Sequence, residues 1–428
     1  MSKKILVVSR HFWPEDNRIN ELCEKLTERG FRVSVLCGQP SGENGDFVRG
    51  YNSFKIRRES RSRIDIHRSM DVRKGNGSNI SVFMNYAAFP LFSYGCLKKL
   101  SEGRYEAIII YQESPVWVGM AAFRLGKKLN IPVYMYVADL WPYTFYGRMD
   151  IQSGVLRKLL ALVSRKIYEK PDKLIVQSER TRKLMAGTLL WGYDRLPVVP
   201  VWPDPAYMTE EPDVDLLEKT AGSFNCLVFG DFNGQLAADY IVNAADKLRQ
   251  EGIRHIRFVI TGKSEMTDDM QKTVMSRNLN DYFFFEGYIP PEKTGSYIHI
   301  ADAVLCAVKL RNGIEYDIPA GVIDIIAAGR PVAVTLSGPV KELVKTAGCG
   351  YTSETDDEEA FYANLLKLYR LSPEERKLMG ENGRRYCLEN FSCDHCADRI
   401  CEIMTGSGPD GVDSGIDADE GSIRKLWE

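Results

Sequence analysis

The chain has 428 residues, of which 44% are hydrophobic and 27% are charged. This ordinary globular composition allows about two to three domains with substantial cores. The formal net charge of -2 at pH 7 excludes the basic excess that is typical of nucleic-acid-binding proteins. Nothing in the sequence predicts a signal peptide, and no apolar run reaches the roughly 18 residues that a membrane-spanning helix needs. The ten cysteines are scattered through apolar segments, which predicts reduced thiols in a cytoplasmic protein.

The first half of the chain alternates strand patterns with helix patterns. Lys4–Ser9, Arg18–Arg29 and Arg32–Cys37 predict strand, helix and strand, and a βαβ opening of this kind predicts a parallel sheet. The alternation continues up to a proline-rich stretch, 198–205, that predicts an interdomain hinge. Ser178 is predicted to cap a basic helix. The later strand patterns are Ala107–Tyr111, with a helix predicted from Ser114 to Leu129, then Ile131–Val137 and Lys173–Val176.

After the hinge the same alternation begins again. A capping box at Ser372 predicts a long helix towards Asn390. We therefore expect two Rossmann-like lobes, 1–200 and 205–388, whose parallel sheets face an interdomain cleft. A helix at about 391–404 is expected to pack back on the first lobe, and the acidic, glycine-rich tail 405–428 to be flexible. The strand patterns of the second lobe are Asn225–Phe229, Ile256–Thr261, Tyr282–Glu286, Ala303–Val308 and Pro331–Thr335.

The most informative stretch runs from Asn312 to Tyr351. Pro319 is predicted to open a buried helix that stops at Gly329. Because a helix N-terminus behind a glycine-containing loop offers N–H groups and a positive dipole end, it suits a phosphate. Asp324 lies among isoleucines of this helix. We favour a carboxylate that accepts ribose hydroxyls over a partly exposed helix residue, because a buried polar group needs a partner.

Two other features admit two interpretations each. Cys387, Cys393, Cys396, Cys401 and His395 could hold a structural zinc, but the C-x2-C unit lacks a second one, which favours plain helix packing.

The arginine-rich stretch 49–74, followed by the apolar stretch 79–100, is either a solvated basic loop before a core helix or a face that lies against an anionic membrane.

Several motifs together resemble the retaining glycosyltransferases of family 4. The likeness spans about residues 4–404 and is greatest to the bacterial subgroup that includes L-fucosamine transferases of surface-polysaccharide assembly. It implies the two-lobed α/β fold called GT-B. The motifs are W-P-E-D-N-R within Ile5–Leu22, Y-Q-E-S-P at Tyr111–Pro115, A-D-L-W-P at Ala138–Pro142, S-E-R-T-R at Ser178–Arg182, I-P-A-G-V at Ile318–Val322, A-A-G-R-P at Ala327–Pro331 and A-G-C-G at Ala347–Gly350.

The resemblance implies a hexosyltransferase-type enzyme (EC 2.4) that moves a sugar from a nucleotide sugar, usually UDP-linked, with retained anomeric configuration and without a metal cofactor. The second lobe would bind the donor. The first lobe would bind a glycan or polyprenyl-diphosphate-linked acceptor, at the inner face of the plasma membrane if the basic stretch is a membrane contact. No nucleic acid is expected as a partner.

The candidate site residues follow from strand ends and from the resemblance. Lys309, Arg311 and Arg18 have a surface-charge interpretation as well, and Asp139 could simply cap a loop. The predicted catalytic residues are Asp139 and Glu15. The predicted acceptor-binding residues are Trp13, Asn17 and Arg18. The predicted donor-binding residues are Gly230, Asn233, Gln235, Lys263, Lys309, Arg311, Ile318, Pro319, Ala320, Gly321 and Asp324.

The chain departs from the family pattern where the diphosphate would bind. The turn Gly230–Gln235 carries neither of the usual Arg and Lys, although Gln235 matches the subgroup. Tyr316 stands at the first position of the family's two-glutamate motif, and Gly321 replaces a Lys typical of the subgroup. Two alternatives therefore stay open. One is a weak or inactive GT-B protein that binds a nucleotide sugar or a partner. The other is a nucleotide-sugar 2-epimerase, for which only His11 among the histidines is well placed.

Overall fold

Two α/β units make up the chain. The computed structural model describes residues 3–42, 45–53, 57–73, 79–149, 151, 153–208, 214–228, 236–262, 264–289, 293–308 and 318–406. The first unit comprises the residues up to Pro200 together with those from Cys393 onward, and the second runs from Val201 to Ser392. Each unit is built on its own β-sheet.

The first unit alternates strands and helices as the apolar periodicity predicts. Its strands are β1 (Lys4–Val8), β2 (Arg32–Cys37), β3 (Arg57–Arg61), β4 (Ile64–Arg68), β5 (Ala107–Gln112), β6 (Val133–Val137) and β7 (Lys173–Ile175). Its helices are α1 (Arg18–Glu28), α2 (Asn79–Phe92), α3 (Leu97–Leu100), α4 (Met120–Leu129), α5 (Tyr143–Met149), α6 (Gly154–Tyr168) and α7 (Glu179–Leu189).

The strands of the first unit lie in the order β3-β4-β2-β1-β5-β6-β7. Apart from the antiparallel pair β3–β4, the pairings among these strands are parallel. The chain first builds the sheet from β1 towards β4 and then returns to add β5, β6 and β7 on the other side of β1. The topological switch point, where ligands bind in open α/β sheets, therefore lies between the carboxyl ends of β1 and β5.

One of the two open interpretations of the basic stretch and one predicted helix boundary in the first unit were wrong. The basic stretch after residue 49 is not a solvated loop: it contains the β3–β4 pair, in which the Arg68 side chain is fully buried. Arg68 Nε donates to Glu59 Oε2 at 3.0 Å, so the charge is paired inside the unit. The helix predicted from Ser114 instead begins as α4 at Met120, after a 3₁₀ turn at Val116–Gly119.

The second unit repeats the architecture with parallel pairings between its described strands. Its strands are β8 (Phe224–Val228), β9 (Ile256–Thr261), β10 (Phe283–Gly287), β11 (Ala303–Cys306), β12 (Val332–Val334) and β13 (Gly350–Thr352). Its helices are α8 (Val214–Thr220), α9 (Ala238–Gln250), α10 (Glu265–Ser276), α11 (Thr294–Ile300), α12 (Ala320–Ala327), α13 (Pro339–Ala347), α14 (Glu358–Arg370) and α15 (Pro373–Phe391).

The second sheet has the order β10-β9-β8-β11-β12-β13. Its switch point lies between the carboxyl ends of β8 and β11, because β9 and β10 extend to one side of β8 and β11 to β13 to the other. Two apolar clusters cover the two faces of this sheet. One packs α9 and α14 on it, and the other packs α12 and α13 on it.

Three of the four predicted helix starts are confirmed. Ser372 and Glu375 form the reciprocal capping box that opens α15. Gly338 precedes Pro339 at the start of α13, and the Ser178 side chain caps α7. Pro319 is a correction: it is the N-cap of α12 and not a residue of its first turn.

A last helix, α16 (Cys393–Thr405), belongs to the first unit and packs against α1. Arg29 Nε donates to Asp398 Oδ1 at 2.6 Å, and Arg29 Nη2 donates to Asp394 Oδ1 at 3.2 Å. Cys393 and Cys396 are buried residues of α16, whereas Cys387 is buried in α15 of the second unit. In the described ranges, no three His, Cys, Asp or Glu side chains are grouped to hold a metal ion. From residue 407 onward, the tail lies outside the described residues.

Within the same ranges, no helix has both the length and the apolar character required to cross a bilayer.

Candidate functional site

Polar side chains gather at the switch point of the first sheet. His11 and Glu15 follow β1, Glu113 and Ser114 follow β5, and Asp139 follows β6. Because parallel strands end at one edge of a sheet, these residues share what we call the first carboxyl edge. Ser114 donates a hydrogen bond to Asp139 Oδ2 across the neighbouring strands β5 and β6. The carboxylates at this edge are thus held by side chains rather than left to solvent.

His11 and Glu15 form the centre of this edge. His11 Nδ1 lies 3.1 Å from both carboxylate oxygens of Glu15, and Glu15 Oε1 also accepts the backbone N–H of Ser41 at 2.8 Å. Burial alone would lower the pKa of His11. The hydrogen bond to Glu15 and the negative charges of Glu15 and Glu113 outweigh burial, so the pKa of His11 is raised. The imidazole is therefore held ready to carry a proton beside two carboxylates.

Glu113 links this centre to helix α1. Asn17 Nδ2 donates to Glu113 Oε1 at 3.0 Å, while Asn17 Oδ1 accepts the N–H of Ile19 and caps α1. The other oxygen, Glu113 Oε2, is buried without a hydrogen-bond partner in the described part of the chain. A buried carboxylate oxygen without a partner costs free energy, and such a cost is typical of a site that a ligand completes.

The loop after β1 is fixed by its backbone. The N–H of Trp13 donates to Asn20 Oδ1 at 2.9 Å, and its carbonyl accepts a hydrogen bond from Arg68 Nη2. The Arg61 guanidinium lies 4.7 Å from the centre of the Trp13 ring. Arg18, the first residue of α1, follows Asn17 directly. The predicted acceptor residues Trp13, Asn17 and Arg18 therefore belong to one ordered segment between β1 and α1.

The predicted site residues did not include Glu113 and Ser114, and His11 was considered only for the epimerase alternative. The signal was present, because each follows a buried strand of a parallel sheet. Sequence reasoning also missed the buried pair of Arg10 and Asp71, whose Nη2 and Oδ1 atoms are 3.5 Å apart. Burial raises the pKa of Asp71 against the opposing charge of Arg10. Because Arg10 immediately precedes His11, this buried ion pair helps to fix the backbone next to the first carboxyl edge.

The second carboxyl edge, at the switch point of the second sheet, is built differently. Thr335 Oγ1 accepts the N–H of Val308 at 2.6 Å and donates back to its carbonyl at 2.9 Å, which fixes the chain just beyond β11. Ile318 and Pro319 precede α12, and Ala320 and Gly321 are its first residues; all four are half-buried. The N-terminus of α12 carries the positive end of the helix dipole.

Asp324 is buried, as the sequence predicted, and it has a partner within the protein. The residue is only 3% exposed, and its Oδ1 accepts the backbone N–H of Asp204 at 2.8 Å. The partner that a buried carboxylate requires is therefore supplied by the protein, and burial alone does not indicate a ribose. The other donor-side predictions, Gly230, Asn233, Gln235, Lys263, Lys309 and Arg311, lie outside the described residues.

Two family models match consecutive parts of the chain. Residues 16–205 match "Glycosyltransferase Family 4", and residues 219–386 match "Glycosyl transferases group 1". The curated MMP alpha-(1->4)-mannosyltransferase of Mycolicibacterium hassiacum is 22% identical over 405 residues, which cover 87% of this chain and 90% of that protein.

Solved structures resemble the chain over nearly its whole length. Sucrose-phosphate synthase (tll1590) from Thermosynechococcus elongatus superposes with a TM-score of 0.71 at 16% identity, over 94% of this chain and 98% of that one. Anabaena Alr3699/HepE in complex with UDP and glucose has a TM-score of 0.66 at 11% identity, over 94% and 100% of the two chains. The fold is therefore GT-B, as predicted. Because both matching models describe glycosyltransferases, the predicted enzyme class, glycosyltransferase, is confirmed.

Proposed function

We propose that the chain is a retaining glycosyltransferase of the L-fucosamine transferase-like subgroup. It moves an N-acetylhexosamine or deoxy-N-acetylhexosamine from a UDP-linked donor to a glycan or polyprenyl-diphosphate-linked acceptor in surface-polysaccharide assembly. The matched family and the motifs quoted above support the reaction class. A neighbouring structure that holds UDP and glucose supports the donor class.

One observation carries the acceptor half of this proposal, namely the group of carboxylates and imidazole at the first carboxyl edge. An acceptor hydroxyl loses its proton as the new glycosidic bond forms, so a proton acceptor must lie near it. Asp139 is our first candidate, because it follows β6 at the sheet edge and is oriented by Ser114. Glu15 and His11, 3.1 Å apart, hold a second mobile proton and orient the acceptor sugar.

The donor half rests on the second carboxyl edge. Negative charge develops on the departing diphosphate, and preorganised N–H donors stabilise such charge. In our proposal the first turn of α12, at Ala320 and Gly321, faces the diphosphate. Lys263, Lys309 and Arg311 remain the predicted cationic contacts. Metal-independence likewise remains a prediction of the family resemblance.

The direct test is transfer. The purified chain is incubated with a panel of nucleotide sugars and with polyprenyl-diphosphate-linked acceptors, and products are followed by mass spectrometry. We expect turnover with one UDP-linked amino sugar, and NMR of the product should show the anomeric configuration of the donor. An inverted product would contradict the retaining mechanism. UDP release without any glycosidic product would contradict the transferase reaction.

Two alternatives each have one supporting observation. Gly321 in place of a cation favours a protein that binds UDP but turns it over weakly, and calorimetry that shows UDP affinity without transfer would support it. The position of His11 beside Glu15 and Glu113 favours a nucleotide-sugar 2-epimerase. Epimer exchange on UDP-N-acetylglucosamine, followed by NMR, would support that reaction instead.

A further inference from the structure

Helix α6 presents apolar side chains to solvent along one face. Val155, Leu159 and Leu162 are 82%, 56% and 57% exposed, and Leu156 and Val163 beside them are also exposed. Their spacing places them on adjacent turns of the same face of the helix. We call these five residues the α6 face. Such a run of exposed aliphatic side chains on one element marks a surface that another apolar phase covers.

The opposite face of α6 anchors it firmly in the first unit. Ala161, Ser164, Ile167 and Tyr168 are buried there. Arg157 Nε donates to the carbonyl of Ile151 at 2.6 Å near the start of the helix. The α6 face is therefore presented by a helix that is packed in place, and its exposure is a property of the folded unit.

Basic side chains accompany the apolar ones. Between Gly154 and Lys170 the chain carries five basic residues and one acidic residue, Glu169. Lys158, Arg165 and Lys166 are exposed, and helix periodicity places Lys166 within the α6 face and the other two along its border. Glu169 pairs with Arg165 at 3.1 Å, which leaves the exposed lysines as the excess charge. An apolar stripe bordered by lysines is the pattern of a helix that lies in the headgroup region of an anionic membrane.

We propose that the α6 face docks on an anionic phospholipid surface. Charge decides between this occupant and a second copy of the chain, because two α6 faces would bring lysine rows of the same sign together. A lipid surface offers acyl chains for the leucines and phosphates for the lysines in one plane. The apolar stretch at α2, the earlier candidate, is less suited. Arg58, Arg68 and Arg73 near it are paired with Asp65, Glu59 and Asp46.

The position of α6 links the proposed docking surface to the first carboxyl edge. The buried hydroxyl of Tyr168, at the end of α6, accepts the N–H of Trp141 at 3.1 Å and lies 3.4 Å from Gln112 Oε1. Trp141 is two residues from Asp139, and Gln112 precedes Glu113. One helix therefore has lipid-facing residues on its outer side and a contact to the first carboxyl edge on its inner side. If the proposed lipid-linked acceptor is correct, α6 brings this edge to the surface that holds the acceptor.

Vesicle flotation tests the docking without reference to any transfer reaction. The full-length chain is mixed with vesicles of phosphatidylcholine, or of phosphatidylcholine with phosphatidylglycerol. We expect binding to the anionic vesicles that weakens as salt is raised. The double variant Leu159→Ser, Leu162→Ser should lose about tenfold or more in binding, because both side chains leave the apolar phase. Lys158→Gln and Lys166→Gln should each lose about fivefold.

Matched controls separate this surface from others. Leu378→Ser changes a leucine that is 59% exposed on α15 of the second unit, and Leu91→Ser changes one that is 66% exposed on α2. Both controls should bind vesicles as the parent chain does. An equal loss in Leu91→Ser would overturn the assignment to α6. No vesicle binding by the parent chain, or a change in sedimentation mass as the only effect of the α6 variants, would overturn the lipid proposal.

Discussion

The two carboxyl edges occupy equivalent places in two related sheets, yet they are made of different groups. At the first edge, His11, Glu15, Glu113 and Asp139 are held by one another or by Asn17 and Ser114. At the second, the described residues offer the start of α12, and the one buried carboxylate there is bonded to the backbone of Asp204.

This difference indicates a division of labour between the units. Side chains that can accept protons are suited to a nucleophilic hydroxyl, because the hydroxyl must change its protonation state during transfer. A helix N-terminus offers fixed N–H dipoles, which are suited to a diphosphate whose charge grows but which exchanges no proton with the protein. In the proposed reaction the same topology serves two different ligands, and the residues after the strands decide which chemistry each edge supports.

The largest expected effect comes from removing the charge of Asp139. Asp139→Asn keeps the size of the side chain, but a neutral amide cannot accept a proton. We expect kcat to fall by about 10²- to 10⁴-fold, the usual contribution of general acid–base catalysis, with little change in UDP affinity. The measurement is turnover with saturating donor, together with UDP titration calorimetry.

Asp172→Asn is the matched control for that variant. Asp172 Oδ2 accepts the N–H of Val133 at 2.7 Å at the start of β6, far along the same sheet from the carboxyl ends of the strands. Its substitution should lower the free energy of unfolding slightly and leave kcat within twofold, by the usual modest cost of one hydrogen bond. Equal losses of turnover in both variants would show that Asp139 acts through folding. That result would contradict the proposal that the first carboxyl edge supplies the proton acceptor.

The next effect concerns Asp324 and separates structure from ligand binding at the second edge. Asp324→Ala leaves the N–H of Asp204 without its acceptor, so the free energy of unfolding should fall by about 1–3 kcal/mol. UDP affinity should fall less than threefold if the carboxylate serves mainly the protein. Thermal unfolding and UDP calorimetry on the same variant measure both quantities. Unchanged stability with a large loss of UDP affinity would restore the ribose role that burial suggested.

The fold could be predicted from the sequence because its strands and helices depend on local residue patterns. Apolar runs such as Ala107–Tyr111 and caps such as Ser372 and Gly338 depend on neighbours within a few residues. The basic stretch around Arg57–Arg61 failed because its strand character depends on pairing with β4 and on a buried partner for Arg68. A pattern rich in arginine looks solvated until its carboxylate partner is located.

The site was predicted only in part for the same reason. The positions of Glu15, Asn17 and Asp139 at strand ends were readable, since each follows an apolar run. Their partners were not, because Asn17 meets Glu113 across 96 residues and Asp204 meets Asp324 across 120. Strand order brings such residues together, and a single sequence does not specify strand order.

A smaller effect tests the missing cation of the second edge. Gly321→Lys places an ammonium on the first turn of α12, where the related subgroup has a lysine. We expect UDP to bind about fivefold more tightly, or about 1 kcal/mol, because part of the gain from a charge-assisted contact is offset by the helix dipole. Gly321→Gln is the neutral control of similar length. Calorimetry at low and high salt checks the effect, and an equal gain in both variants would assign it to helix propensity instead of charge.

The smallest effect belongs to His11 and returns to the first edge. The pKa of His11 is higher in the folded chain than its ordinary value of 6.5. The folded chain therefore binds the His11 proton more tightly than the unfolded chain does. Protonated His11 stabilises the fold fully below pH 6.5. This contribution is lost as the pH rises through the pKa of His11 in the folded chain. Because the side chain is 38% exposed, solvent screens the interaction.

In His11→Gln, Tm should lie about 1 °C below the parent at acidic pH, and the two curves should converge as pH rises through neutrality. Calorimetric scans of both chains over this range measure the difference. The Glu15 carboxylate keeps its bond to the N–H of Ser41 in either chain, so the variant removes the proton-binding group and leaves the loop in place. A Tm difference that grows with pH would mean that His11 is neutral in the folded chain. The first edge would then hold no exchangeable proton at His11, and in this respect it would resemble the second edge.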